Sequence, residues 1–180
     1  MRSGLVYADV SARGKLHLAG AVEPSVRSLT GASLDPGRTA AIASGGLVAR
    51  VARDWALALL PPAAEDATLK SLGAVPTSPA SVTDVTSAMS GFLAGGPRLR
   101  ELLAQTLTID LAGLQPGRCV AASWARIPAV LLMRDLGTPA VELYVGSEYG
   151  RYAWETLQQL GRTLGGAPIG WRALESAGWS

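Results

Sequence analysis

The sequence predicts an α+β chain built as two tandem antiparallel-sheet modules, each with its helices on one face of the sheet. Three observations carry this: an internal repeat, a hydrophobic period that switches between strand and helix spacing, and breakers that separate the segments. Asp9-Val10-Ser11 recurs as Asp84-Val85-Thr86 and Leu18-Ala19-Gly20 as Leu93-Ala94-Gly95, both shifted by 75 positions. Leu34 with Pro36-Gly37-Arg38 returns as Leu114 with Pro116-Gly117-Arg118 at a shift of 80, so the second copy carries five more residues in between.

Taken in order, the segment Leu5 to Val10 reads as a short strand. Lys15 to Ala19 reads as another, with Leu16 and Leu18 on one face and Lys15 and His17 on the other, so one wet face is expected. Val22, Val26 and Leu29 fall at i, i+4, i+7, and Pro24 suits a first helical turn. Gly31 and Asp35-Pro36-Gly37 end that helix. Thr39 to Ala43, Leu47 to Ala52 and Trp55 to Leu60 follow as strands, the last with Trp55, Leu57 and Leu59 on one face, and Pro61-Pro62 stops it. The second copy repeats this with Leu99, Leu102 and Leu103 on its first helix and strands near Arg118 to Ala122, Ala129 to Met133 and Ala140 to Val145. A closing helix carries Ala153, Leu157, Leu160 and Leu164 on one stripe and stops at Gly165-Gly166. The expected modules are residues 1–74 and 75–166, linked through Gly73 to Ser81, with 167–180 a tail that packs back on them.

Composition excludes several classes of function. A formal charge of +2 with scattered arginines offers no phosphate-backbone footprint, so no nucleic-acid partner is expected. No apolar run approaches the roughly 18 residues of a membrane span and no secretion signal opens the chain, so the expectation is a cytoplasmic protein without a membrane. One cysteine and one histidine leave no disulfide framework, no His/Cys metal cage and no Cys/His nucleophile pair. The charged fraction of 17%, with five Trp and four Tyr, predicts a partly apolar surface and subunit contacts.

Individual polar residues read as structural. His17 is expected to point outward from its strand, and Cys119 to be a small core residue. Gly45-Gly46 and Gly95-Gly96 lack a phosphate-loop context and serve turns. Asp9 and Asp84 are expected to bond backbone groups in turns.

The stretch Gly4-Leu5-Val6-Tyr7-Ala8-Asp9-Val10-Ser11 with Gly14-Lys15-Leu16, the glycine pair in Ser44-Gly45-Gly46-Leu47-Val48, the strand Val141-Glu142-Leu143-Tyr144-Val145 and the segment Gly170-Trp171-Arg172-Ala173-Leu174-Glu175 together resemble the aminomethyltransferase family typified by the glycine-cleavage T-protein. The resemblance implies a ferredoxin-like pseudo-repeat, and a catalytic aspartate after the hairpin glycines and apolar pair. Ala49 and Arg50 stand there instead, and Asp54, four residues beyond Arg50, reaches that place only through a bulge. Against the family pattern the chain is expected to be a truncated relative lacking the C-terminal β-barrel domain.

Thr83-Asp84-Val85-Thr86, Pro116-Gly117-Arg118-Cys119 and the Glu142 strand, in this order, resemble one subgroup, the gamma subunits of heterotetrameric sarcosine oxidases. The resemblance implies a non-catalytic structural subunit, with larger alpha- and beta-type flavoprotein subunits and a small delta-type subunit as partners. FAD, FMN, NAD and tetrahydrofolate would then sit in those partners, and this chain would hold no cofactor and no metal. By the same resemblance Glu142, Tyr144 and Arg172 are the folate-binding candidates. Glu142 would grip pterin amino groups, although a solvated or interfacial glutamate and an ion-paired Arg172 are the favoured assignments. Trp124, Trp154, Trp171 and Trp179 are the expected interface anchors, since buried tryptophans dominate association energies. The rival expectation is a free-standing tetrahydrofolate-dependent aminomethyltransferase or demethylase using Glu142 and Asp54.

Overall fold

The computed structural model describes residues 4–73 and 81–179. The expected linker between Gly73 and Ser81 lies almost wholly outside the described residues. The strands are β1 Val6–Asp9, β2 Gly14–Ala19, β3 Arg38–Ala41, β4 Leu47–Ala52, β5 Trp55–Leu60, β6 Ser81–Asp84, β7 Met89–Gly95, β8 Cys119–Trp124, β9 Ile127–Asp135, β10 Pro139–Gly146 and β11 Ala167–Pro168. The helices are α1 Glu23–Thr30, α2 Glu65–Gly73, α3 Leu99–Thr106, α4 Gly150–Thr163 and α5 Trp171–Ser176. The strands form one sheet in the order β11-β1-β7-β10-β9-β8 and a second in the order β3-β4-β5-β2-β6. All pairings are antiparallel except β1 with β11.

The division between the sheets differs from the sequential one expected at residue 74. One compact unit joins the segment through Ser11 to everything from Met89 onward, and the other is Ala12–Ala88. The first strand of each repeat has changed places: β1 pairs with β7 and β6 pairs with β2. The connections Val10–Arg13 and Val85–Ala88 are each four residues long and hold no residue with positive φ, so neither is a tight two-residue hairpin, and neither first strand pairs with the strand that follows it. Asp9 and Asp84 direct the exit instead. Each carboxylate accepts a bond from the backbone N–H two residues on, Ser11 at 2.7 Å and Thr86 at 2.8 Å, as expected of turn-forming aspartates. The Val10 N–H then bonds Gly91 O in one unit and the Val85 N–H bonds Lys15 O in the other.

The same pairing corrects the repeat. Leu16 and Leu18 lie opposite Ala58 and Ala56, while Phe92 and Ala94 lie opposite Leu143 and Val141. Leu18 therefore corresponds to Ala94, not Leu93. Because side chains alternate along a strand, that slip of one residue sends Leu93 to the opposite face. There it packs with Ala8, Val10, Leu174 and Trp179.

In the larger unit the helix-side core holds Tyr7, Phe92, Leu131, Val141, Leu143 and Val145 under α3 and α4. The apolar stripe of α4 buries Ala153 and Leu157, with Leu160 half-buried against the core. α5 was not foreseen as a helix; its Leu174 covers the other face of the sheet with Trp179. In the smaller unit Leu16, Leu18, Val48, Ala56, Ala58 and Leu60 pack with Val22, Val26 and Leu29 around α1, which has proline in its first turn and Gly31 in left-handed conformation at its end. α2, also unforeseen, adds Leu72. The expected wet face is absent: Lys15, Ala49, Leu57 and Leu59 are buried and His17 is half-buried. The β5 run Trp55-Ala56-Leu57-Ala58-Leu59-Leu60 is apolar on both faces, the pattern of a strand covered on both sides.

The surface is less apolar than the composition suggested. Trp124 and Trp179 are 1% and 8% exposed and cannot serve as open interface anchors. Trp154 is half-buried and spends its ring on Tyr7, edge to face at 5.6 Å, and on Phe92, stacked at 6.0 Å. Trp171 is half-buried and donates its indole N–H to Glu175 at 2.8 Å.

The β8–β9 hairpin turns through Ala125 and Arg126 at φ +46° and +71°, left-handed values at two residues that are not glycine. Each such residue costs about 1–2 kcal/mol relative to a relaxed backbone. Replacing Ala125-Arg126 by Asn-Gly is expected to stabilise the chain by about 1 kcal/mol, read as a higher urea midpoint at unchanged slope.

Candidate functional site

β10 alternates Val141, Leu143 and Val145, which enter the helix-side core, with Glu142 and Tyr144 on the opposite face. Glu142 and Tyr144 are fully buried. Glu142 lies between Leu93 of β7 and Leu132 of β9, and Tyr144 between Gly91 and Val130. A Cβ at Gly91 would stand 2.7 Å from Tyr144 Cε1, so only glycine lets the ring lie there. Tyr144 Oη donates to Glu142 Oε2 at 2.8 Å, and Arg134 Nη1 donates to Glu142 Oε1. Both carboxylate oxygens are thus engaged.

Arg134 went unnoticed in the sequence, yet a signal was present. Asp135 and Pro139 pair across the β9–β10 turn, which puts Arg134 opposite Ala140 and diagonal to Glu142 on one face. Its side chain is 22% exposed, so it carries its charge near water while neutralising a carboxylate that has none. Arg172 is not part of this cluster among the described contacts: it is exposed on α5. The Glu142 carboxylate is fully buried, with Arg134 on one oxygen and Tyr144 on the other, so a pterin would reach it as a paired acceptor only if these neighbours moved aside.

The smaller unit holds the positions where the resemblance implies an aspartate. Ala49 is fully buried, paired with Thr39 and Leu57. Arg50 turns to α1, donating from Nη1 to Glu23 Oε2 and to Leu34 O at 2.6 Å, and from Nη2 to Arg53 O at 3.1 Å. Glu23 is held below the usual carboxylate range by a hydrogen bond with Ser33 and by the Arg50 charge, against the opposing effect of burial. The β4–β5 register shifts between Arg50 and Ala52, but Asp54 stays exposed in the turn beyond. It lines an open groove of about 470 Å³ with Glu23, Arg50 and Arg53. Asp54 and Glu142 belong to different units.

The remaining candidates are structural. Burial pushes the Cys119 thiol up to about 12, against a smaller opposing effect of the Arg118 charge, so it stays protonated and unreactive. His17 meets Trp55 edge to face at 6.0 Å. Among the described residues no group of three or more His, Cys, Asp or Glu side chains could hold a metal ion, and no helix is long and apolar enough to cross a membrane.

Two antiparallel-dominated sheets with exchanged first strands and a buried glutamate strand define an aminomethyltransferase-like α+β protein. The chain belongs to the GCVT N-terminal domain family, whose family model matches residues 36–178. Its fold is similar to a chain of the heterotetrameric sarcosine oxidase from Corynebacterium sp. U-96 in complex with pyrrole 2-carboxylate, with TM-score 0.76 and 21% identity over 92% of this chain and 87% of that one. It is also similar to the glycine cleavage system aminomethyltransferase T from Bartonella henselae, with TM-score 0.74 and 15% identity over 93% of this chain but only 48% of that one. No curated protein sequence matches the chain significantly.

Two outcomes test these assignments. Arg134→Met leaves Glu142 buried without its cation and should lower the unfolding free energy by about 3 kcal/mol; adding Glu142→Gln should recover part of that loss, giving a nonzero coupling energy in urea denaturation. Because the folded pKa of Glu23 lies below its ordinary 4.5, its contribution to stability is complete above that pH and disappears as pH falls through the folded value. Glu23→Gln should therefore flatten the acid side of a melting-temperature profile and leave its slope near neutral pH unchanged.

Proposed function

We propose that this chain is a non-catalytic structural subunit of a heterotetrameric amine oxidoreductase complex of the sarcosine oxidase type, one that oxidises an N-methylated amine. The observation that carries the reading is the pair Ala49 and Arg50. Where a related transferase would present a reactive carboxylate, a buried methyl group and an arginine clamped to Glu23 and two backbone carbonyls stand instead. Neither can take a proton from an amine or a folate at neutral pH, since a guanidinium does not give up its own. Similarity to nearly the whole of a heterotetrameric sarcosine oxidase chain supports the same reading, as does the engagement of both Glu142 oxygens within the protein.

On this reading the oxidation belongs to larger flavoprotein subunits of alpha and beta type, which would hold FAD, FMN, NAD and tetrahydrofolate, with a small delta-type subunit completing a cytoplasmic assembly. This chain would act as a rigid surface for them. Its gamma-type position is supported by the resemblance of the motifs around Asp84, Pro116 and Glu142, in that order, to gamma subunits of this kind.

The test is affinity purification of the tagged full-length chain from its native host. The expected result is co-purification of partner chains with the visible absorbance of flavin, and turnover of a methylated amine by the assembly but not by the chain alone. Turnover by the isolated polypeptide would overturn the reading. Tight tetrahydrofolate binding by the isolated chain, abolished by Glu142→Ala in a variant that still folds, would also overturn it and favour a free-standing aminomethyltransferase or demethylase.

A further inference from the structure

Among the described residues only two large hydrophobic side chains are strongly exposed, Ile109 at 36% and Tyr152 at 46%. Tyr152 lines an open groove of about 480 Å³ between the end of α3, the β8–β9 turn and the first turns of α4, and Ile109 follows directly on a second lining residue, Thr108. The lining is rich in hydroxyls, including Thr106, Ser123 and Thr156, and carries one charged residue, Arg126, with no acid beside it. β8, which supplies Ser123, is an outer strand of its sheet, and at its groove end Leu107 bridges Trp124 while Thr106 O accepts the Ala125 N–H at 2.8 Å, so the groove floor is a closed backbone surface.

The Arg126 turn contradicts its local preferences. Two non-glycine residues take left-handed conformation at a hairpin tip where Asn-Gly is the stable choice. Tyr152 Oη donates to Ala125 O at 2.9 Å and holds the turn in place from α4. The exposed guanidinium of Arg126 is thereby presented at the mouth of the groove on a fixed backbone. A local rule broken on the surface, with a neighbouring side chain enforcing the result, is expected where the residue is used.

We propose that this groove docks an acidic segment of a partner protein, with a carboxylate paired to Arg126 and an adjacent aliphatic side chain against Tyr152. Charge complementarity selects the occupant. A planar guanidinium without an acid in the groove lining takes a carboxylate in a two-pronged hydrogen bond, and the Thr108 and Ser123 hydroxyls at the exposed rim can meet the peptide's own polar groups. This surface is distinct from Glu142, Arg50 and the folate question, and its docking role stands whether or not the assembly is of the sarcosine oxidase type.

The test uses the isotope-labelled full-length chain titrated with two synthetic peptides, acetyl-Leu-Asp-Leu-Glu-Leu-amide and the same peptide with Asn and Gln in place of Asp and Glu. Amide shifts at Ser123, Ala125, Arg126 and Thr108 are expected with the acidic peptide, weakening as salt is raised. Arg126→Gly should lose about tenfold or more in affinity while its urea midpoint rises, because the turn relaxes. Loss of binding therefore cannot be ascribed to misfolding. Arg162→Glu, at the far end of α4, should bind as the parent does. Equal binding of the neutral peptide, shifts confined to other surfaces, or no binding of either peptide at millimolar concentration would each overturn the proposal. Concentration-dependent shifts at the same amides without peptide would overturn it in favour of a second copy of this chain.

Discussion

The pairing of each repeat's first strand with the second strand of the other repeat is the constraint on which the rest of the structure depends. β1 completes the sheet that carries Glu142, and β6 completes the sheet that carries Arg50. The sheet that carries Arg50 closes within one contiguous stretch, Ala12–Ala88, whereas the sheet that carries Glu142 joins the segment through Ser11 to residues from Met89 onward. Asp9 and Asp84 bring this about with the same device, a carboxylate that captures the backbone N–H two residues on and sends the strand away from its neighbour in sequence. Contacts of this kind span many residues, so loop-closure entropy is spent before the sheets reward it.

The chemistry of the two candidate positions follows from where the sheets put them. On β10 a glutamate is surrounded by apolar neighbours and finds its compensation within its own unit, in a tyrosine two residues along and an arginine across the hairpin. Both carboxylate oxygens are bonded within the protein. On β4 an arginine takes the place where the family resemblance implies an acid, and α1 answers it with Glu23. Each charge is met by one of opposite sign. This balance is one support for the scaffold role proposed above.

The hairpin at Ala125-Arg126 is the contrary case. There the protein tolerates a strained backbone that glycine would relieve, next to an exposed tyrosine. Where the interior is resolved in favour of stability, this surface is not, and that asymmetry separates the parts of the chain that hold the fold from the part offered to others.

Much of the architecture was legible in the sequence. The spans of β4 and β5, the start and stop of α1 and the stripe of α4 follow from periodicity, proline and glycine, which act within a few residues. The absence of an aspartate at Ala49 and Arg50 was equally visible. The exchange of β1 and β6 was not, because a strand's own residues specify which face is apolar but not which distant strand will accept its hydrogen bonds. The slip that makes Leu18 the counterpart of Ala94 has the same origin, since only cross-strand register decides it. Tertiary structure alone also chose the partners of Glu142 and Arg50 and placed Trp124 and Trp179 inside. Burial and pairing depend on what the rest of the chain brings near, and no local pattern contains that.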